Sequence, residues 1–275
     1  MVDKTENEIT EKQFYQKLCD LALYGSNSEF FDTVKILEKL GTVEAVEVLL
    51  KILLHHPKGL PSGDFDSYRS AAVKPLIRSW KLAPEKILPL IPIFCKYNLT
   101  DDGFVSIEDV LVEKFDEIGK EALQKAFISG LNDFDYRVRL GTLYILYDYV
   151  IMEDDFQLLV DAYKIETQTE VQAVLAEKLL ENLNEENAET FFELIKNYRI
   201  DLNNPILTEF FYPEPELIEK TTPIFLRKWK EEKDETIRGL IHELLEELIN
   251  SDEADVQVFS KDEIKQLQEM DIIKE

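Results

Sequence analysis

Between Asn132 and Tyr163 apolar and polar positions alternate with a helical period, and the pattern predicts two helices joined by a short acidic turn. In the second helix Phe156, Leu159, Val160 and Tyr163 stand at i, i+3, i+4 and i+7, which places them on one face. Asp154, Asp155, Gln157 and Asp161 fall on the other, so this helix is expected to bury one side. The first helix, from Tyr136 to about Ile151, is apolar on two sides. Tyr136, Leu140, Leu143, Tyr144, Tyr147 and Ile151 make one stripe, and Val138, Ile145 and Tyr149 make another. Such a helix needs neighbours on both sides, as in the middle of a row of stacked helical hairpins.

Similar hairpins are predicted on either side. After a lead-in helix from about Glu11 to Tyr24, Phe30–Leu40 and Val43–His55 pair across Gly41-Thr42. Gly41 suits the end of one helix and Thr42 the cap of the next. Val43, Val46, Leu50 and Leu53 are expected on the inner face. The loop His56–Asp64, rich in proline and glycine, leads to Asp66–Trp80 and Pro84–Tyr97. Pro84 fits a first helical turn, whereas Pro89 and Pro92 should distort or restart that helix. Phe104–Ile118 with Lys120–Ser129 precede the hairpin described first, and Glu170–Leu183 with Glu185–Asn197 follow it. In the last of these, Ala188, Phe191, Phe192 and Ile195 repeat the one-faced stripe. An irregular segment over 202–215 precedes Glu216–Lys230 and Glu235–Ile249, and Lys261–Ile272 is a polar terminal helix suited to capping the array. No alternating run of Val, Ile or Thr of useful length predicts a strand, so the expected class is all-α.

The hairpins recur in register. Asp32, Asp66, Asp102, Asp135 and Thr169 are separated by 34, 36, 33 and 34 residues, and Asn203 and Glu235 continue the series at 34 and 32. Within this register Glu38-Lys39-Leu40-Gly41-Thr42-Val43-Glu44-Ala45 and Glu117-Ile118-Gly119-Lys120-Glu121-Ala122 resemble the Leu/Ile-Gly-x-x-Glu-Ala turn of HEAT repeats. Asp66-Ser67-Tyr68-Arg69, Asp135-Tyr136-Arg137-Val138-Arg139 and Asp234-Glu235-Thr236-Ile237-Arg238 are similar to the Asp-x-x-Val-Arg opening of that family's first helix. Glu170-Val171-Gln172 departs from it in lacking the arginine, and Asn203–Phe211 barely matches. The resemblance implies a right-handed α-solenoid of six or seven HEAT-like hairpins over 28–250, with a lead-in helix over 1–27 and an acidic capping segment over 251–275. Both motifs are structural, so the resemblance carries little about function.

Charge narrows the function classes. With 31 basic and 56 acidic side chains the formal net charge is −25, and long-range attraction to nucleic acid or anionic lipid is unfavourable. The distribution is uneven: residues 57–97 hold seven basic and three acidic side chains, a local +4, whereas 151–200 carry −8 and 231–275 carry −10. Two isolated cysteines, Cys19 and Cys95, form neither a zinc motif nor a disulfide framework. A polar amino terminus and the lack of an apolar run near 18 residues predict neither a signal peptide nor a membrane span, so a reducing, cytoplasmic setting is expected.

Chemistry-bearing motifs are sparse. His55-His56 closes a helix, and His242 stands four residues from Glu246, but neither has a complete ligand set, and ordinary surface histidines explain both. There is no His-Glu-x-x-His, glycine-rich phosphate loop or Gly-x-Ser-x-Gly. No cofactor or metal is expected.

The expected function is a noncatalytic scaffold or adaptor that binds a basic protein partner on a concave face. In HEAT arrays the second helices line that face, which nominates Glu44, Glu47, Lys51, Lys125, Asp154, Gln157, Asp161, Glu189, Glu193 and Lys196. Trp80 and Trp229, each near a helix end beside Arg or Lys, add two aromatic anchor candidates, although aromatics at helical spacing are more often core. Two rival functions remain: a HEAT-like enzyme or chaperone of the tetrapyrrole-chromophore lyase type, or an acidic mimic that inhibits a nucleic-acid-binding protein. Excision of alkylated bases, also found among HEAT-like proteins, needs a basic groove that the net charge opposes.

Overall fold

The computed structural model describes residues 4–54, 65–99, 106–150, 156–198, 215–249 and 259–273, and all regular structure among them is helical. The chain falls into two compact units, Met1–Val150 and Ile151–Glu275.

The first unit holds α1 (Lys4–Tyr24), α2 (Asn27–Leu40), α3 (Val43–Leu54), α4 (Phe65–Arg78), α5 (Pro84–Ile87), α6 (Ile91–Asn98), α7 (Ile107–Ile118), α8 (Lys120–Leu131) and α9 (Tyr136–Val150). Local chemistry sets many of the ends. Ser26 and Glu29 form a capping box at the start of α2, and Ser106 and Asp109 do the same for α7. Gly41 closes α2 in the left-handed region at φ 54°, a conformation that costs glycine little. Thr42 Oγ1 accepts from Ala45 N at 3.2 Å and meets Tyr15 Oη at 2.7 Å, so one hydroxyl caps α3 and ties it to α1. Pro89 and Pro92 interrupt the predicted Pro84–Tyr97 helix as expected: Leu88–Leu90 forms a 3-10 turn, and α6 restarts with Pro92 in its first turn.

Two predicted faces are corrected. On α3 the buried residues are Ala45, Val46, Val48, Leu49, Ile52 and Leu53, while Val43 is exposed and Leu50 only half-buried. This helix packs on α1, α2 and α4, which widens and rotates its buried arc. On α9, Val138, Leu143, Ile145, Leu146 and Tyr147 are buried, but Tyr136, Tyr144 and Tyr149 remain exposed. The expected two-sided packing is present, since α9 lies against both α6 and α8. Glycines permit the approach: a Cβ on Gly141 would stand 2.5 Å from the Cys95 carbonyl oxygen, and one on Gly130 would stand 2.2 Å from Thr142 Oγ1. Ile151 lies outside the described residues. Trp80, predicted at the end of a helix, instead opens the 3-10 turn Trp80–Leu82 after α4.

The second unit holds α10 (Phe156–Ile165), α11 (Thr169–Glu181), α12 (Ala188–Tyr198), α13 (Pro215–Glu231), α14 (Glu235–Ile249) and α15 (Lys261–Glu269). The stripes Phe156, Leu159, Val160, Tyr163 and Ala188, Phe191, Phe192, Ile195 are buried as predicted. Helix α12 begins later than the expected Glu185. Asn184 and Asn187 exchange side-chain bonds with each other's backbone N–H at 2.8 and 3.1 Å, and Asn187 Nδ2 donates to the Asn182 carbonyl, holding a turn there instead. Phe225 of α13 meets Phe191 and Phe192 edge-on, joining α12 to α13 in the core. At the end of the chain Ser260 and Glu263 cap α15, and His242 Nε2 on α14 bonds the Met270 carbonyl just after it at 2.7 Å. Most of the predicted irregular segment 202–215 lies outside the described residues.

Candidate interaction surfaces

Four cations of the basic stretch in the first unit reach carboxylates on other hairpins. Arg78 at the end of α4 donates to Glu38 on α2. Lys86 on α5 donates to Glu47 on α3 at 2.8 Å, and Lys96 on α6 reaches Asp135, just before α9, at 2.8 Å. Lys81 pairs with Glu117 on α7 at 2.8 Å. The second unit repeats the device: Lys220 on α13 donates to the Glu181 carbonyl at the end of α11, Arg227 to Glu185, and Lys228 to Glu189 on α12. Apart from Lys81–Glu117, the bonded residues lie 39 to 42 positions apart in sequence. These contacts explain the local +4 of residues 57–97, since Arg78, Lys81, Lys86 and Lys96 all face carboxylates.

Protonation follows this pairing. The Lys86 hydrogen bond holds the Glu47 carboxyl below its ordinary value and raises the Lys86 ammonium in turn. A bond from Lys81 likewise depresses Glu117. Burial alone would raise Asp135, but bonds from Lys96 and Arg137 outweigh it and hold that carboxyl low.

Asp135 organises the turn between α8 and α9. Its Oδ1 accepts from Arg137 N at 3.0 Å, and its own N–H donates to Asp133 Oδ1 at 2.8 Å. Arg139 Nη1 folds back onto the Asp133 and Phe134 carbonyls at 2.7 and 3.2 Å. The braced turn presents Phe134, whose side chain is 96% exposed. Nothing in the hydrophobic periodicity singles out this residue, because it lies between helices.

The nominated site residues have the following surroundings. Trp80 is half-buried in its 3-10 turn with Lys81 Nζ 5.7 Å from its ring. Lys125 is exposed on α8 and pairs with Glu121 one turn away at 2.8 Å. Asp154 lies outside the described residues. Gln157 Nε2 donates to Asp161 Oδ1 at 2.8 Å, so these two share an exposed face of α10. Glu189 receives Lys228, while Glu193 is exposed on α12. Trp229 is half-buried, with the Arg238 guanidinium 4.2 Å from its ring centroid. Lys228 therefore links Glu189 to the helix that carries Trp229. Trp80 and Lys125 stand on separate elements of the first unit.

Two further features bear on chemistry. Helices α1 and α3 line a groove of about 310 Å³, with Tyr15, Cys19 and Val48 among mixed charges that include Lys12, Glu44 and Lys51. Burial pushes the Cys19 thiol up more than nearby Lys51 lowers it, and burial also raises Cys95. His242 uses Nε2 on the Met270 carbonyl, and its Nδ1 lies 3.9 Å from Glu246. Among the described residues no cluster of three His, Cys, Asp or Glu side chains is placed to hold a metal, and no helix is long and apolar enough to cross a membrane. His55 and His56 lie outside the described residues. No family model, no curated protein and no solved structure matches the chain.

Proposed function

We propose that the chain is a right-handed solenoid of six or seven HEAT-like hairpins, acting in the cytoplasm as a noncatalytic scaffold that holds a basic protein partner along its concave face. The observation that carries this reading is the recurrence, within each unit, of bonds between residues 39 to 42 positions apart. A repeat array brings each helix against its counterpart in the next hairpin, and the ties Arg78–Glu38, Lys86–Glu47 and Lys220–Glu181 are of that kind. Several helix neighbours follow the same order, since α2 packs on α4 and α4 on α7, while α11 packs on α13 and α12 on α14; the close packing of α6 on α9 departs from it. Because these ties absorb several cations, exposed carboxylates such as Glu44 and Glu193 dominate what remains, which suits a basic partner. The braced, exposed Phe134 provides an apolar contact for such a partner. The α1–α3 groove mixes charged side chains of both signs with Tyr15, Cys19 and Val48, whereas a tetrapyrrole site would call for a predominantly apolar cleft.

Affinity capture from native lysate at low and high salt tests the scaffold. The expected result is one stoichiometric basic protein, released as salt rises. Retention of a coloured ligand or of nucleic acid, with no protein, would reject the reading. Small-angle scattering tests the architecture: a radius of gyration near the compact expectation of about 19 Å would contradict an extended solenoid.

A further inference from the structure

The arginine of the Asp-x-x-apolar-Arg opening has different surroundings at its two best-described occurrences. Arg139 is bonded to the carbonyls of the turn before α9. Arg238, its counterpart on α14, lies against the Trp229 ring, and no hydrogen bond or ion pair to its guanidinium is found among the described residues; its Nε is buried without a partner. Among the described residues this guanidinium has no carboxylate partner, although the turn beside it is acidic. Glu232 Oε1 accepts the backbone N–H groups of Lys233 and Asp234 at 2.8 and 3.0 Å, while Asp234 Oδ1 accepts those of Thr236 and Ile237 at 2.9 and 3.4 Å. One oxygen of Glu232 and one of Asp234 are therefore held by the backbone of the turn. The turn Glu232-Lys233-Asp234 is also one residue shorter than Asn132-Asp133-Phe134-Asp135, in which the bonded carbonyls arise.

A guanidinium laid on an indole keeps its planar fork pre-organised, and that fork matches a carboxylate through two parallel hydrogen bonds. From this geometry we infer that Trp229 and Arg238 form a docking site for a single carboxylate side chain of the protein partner, with the indole covering an apolar neighbour of that side chain. This rests on the scaffold reading and deepens it: the acidic surface attracts a basic partner, and one inverted charge fixes the partner's register. A carboxylate is favoured over a phosphate because the surrounding turn carries Glu231, Glu232, Asp234 and Glu235, and a dianion meets more repulsion there.

The two tryptophans make the site observable, since Trp80→Phe leaves Trp229 as the only indole. The probes are two basic peptides, Lys-Lys-Leu-Glu-Leu-Lys-Lys and the same peptide with glutamine for glutamate, each titrated against Trp229 fluorescence; acetate and inorganic phosphate at constant ionic strength are titrated against the Arg238 side-chain NMR resonance. The glutamate peptide is expected to bind about fivefold more tightly than the glutamine peptide. Arg238→Lys, which keeps the charge but loses the fork, should close that gap while leaving the salt-sensitive binding of both peptides, and acetate should shift the resonance more than phosphate. Equal affinities for the two peptides, a gap that persists in Arg238→Lys, or a preference for phosphate would each overturn the carboxylate site. If both peptides bind equally and salt releases them, the site fails while the basic-partner reading stands. If acetate shifts Arg238 but neither peptide binds, the site stands and the basic-partner reading fails.

Discussion

The α8–α9 and α13–α14 corners start from the same pattern, an aspartate followed three and four residues later by an apolar residue and an arginine, yet they are held differently. At the first corner Asp135 takes Lys96 from another hairpin, Arg139 grips the turn carbonyls, and Gly141 lets α9 lie against the backbone of α6. At the second, Asp234 only caps its own helix, Arg238 lies on Trp229, and Gly239 has open space around it. One motif therefore serves as a packing joint in one place and stacks its arginine on an indole in the other. What differs is the closeness of the neighbouring backbone and the length of the turn, both outside the motif.

Substitutions at matched positions should separate the corners, and the glycine of the tight crossing comes first. Gly141→Ala would place a methyl 2.5 Å from a main-chain oxygen and 2.6 Å from the adjoining carbonyl carbon, neither of which can rotate away. The expected loss is about 3 kcal/mol, measured as a lower urea midpoint at unchanged m-value. A loss below about 0.5 kcal/mol would mean that α6 and α9 do not cross as closely as described.

The aspartates come next. Asp135→Asn leaves Lys96, whose side chain is only 13% exposed, without its carboxylate, and should cost about 2 kcal/mol. Asp234→Asn keeps a good cap for α14 and should change stability by less than about 0.5 kcal/mol. The pH dependence should follow. Because Asp135 titrates below its unfolded value of about 3.9, its contribution is present above that pH and disappears as pH falls through the lower folded value. Asp135→Asn should therefore flatten the acid limb of stability, and an unchanged acid profile would show that the Lys96 contact is immaterial.

For the arginines, Arg139→Ala removes two bonds to turn carbonyls and should cost about 1.5 kcal/mol. Among the described residues Arg238→Ala loses only the stack on Trp229, about 0.5 to 1 kcal/mol. Equal losses would erase the distinction between the corners.

Much of this architecture is legible in the sequence, and the exceptions share a cause. Helix ends at Gly41 and Pro89, and the one-faced stripes of α10 and α12, follow from local geometry that a short window contains. The buried arc of α3 does not, because nearly every position there is apolar and only α1, α2 and α4 decide which residue stays out. Charge behaves similarly. The sequence shows an excess of cations over 57–97, but their partners lie up to 40 residues away, so a surface patch and a set of cross-ties have the same composition. Trp229 was visible as an anchor candidate, whereas its pairing with Arg238 depends on how two consecutive helices turn. The late start of α12 required recognising Asn184 and Asn187 as a side-chain turn rather than as a helical first turn.

The smallest expected effect has the opposite sign, which makes it the sharpest check on the comparison. Gly239 is exposed in α14, and an added Cβ would meet nothing within 4 Å. Its backbone has no positive φ to relieve, unlike Gly41 and Gly119. Alanine is the better helix former and restricts the unfolded chain, so Gly239→Ala should stabilise by about 0.5 to 1 kcal/mol. Gly141 lies in the corresponding helix, two residues beyond its arginine rather than one. Helix propensity favours alanine there equally, so any difference in sign between the two substitutions must come from packing. A rise in urea midpoint for Gly239→Ala beside a fall for Gly141→Ala would locate the joint in the close contact of α9 with α6. A fall for both would show that α14 also depends on a close neighbour, and the contrast between the two corners would then be lost.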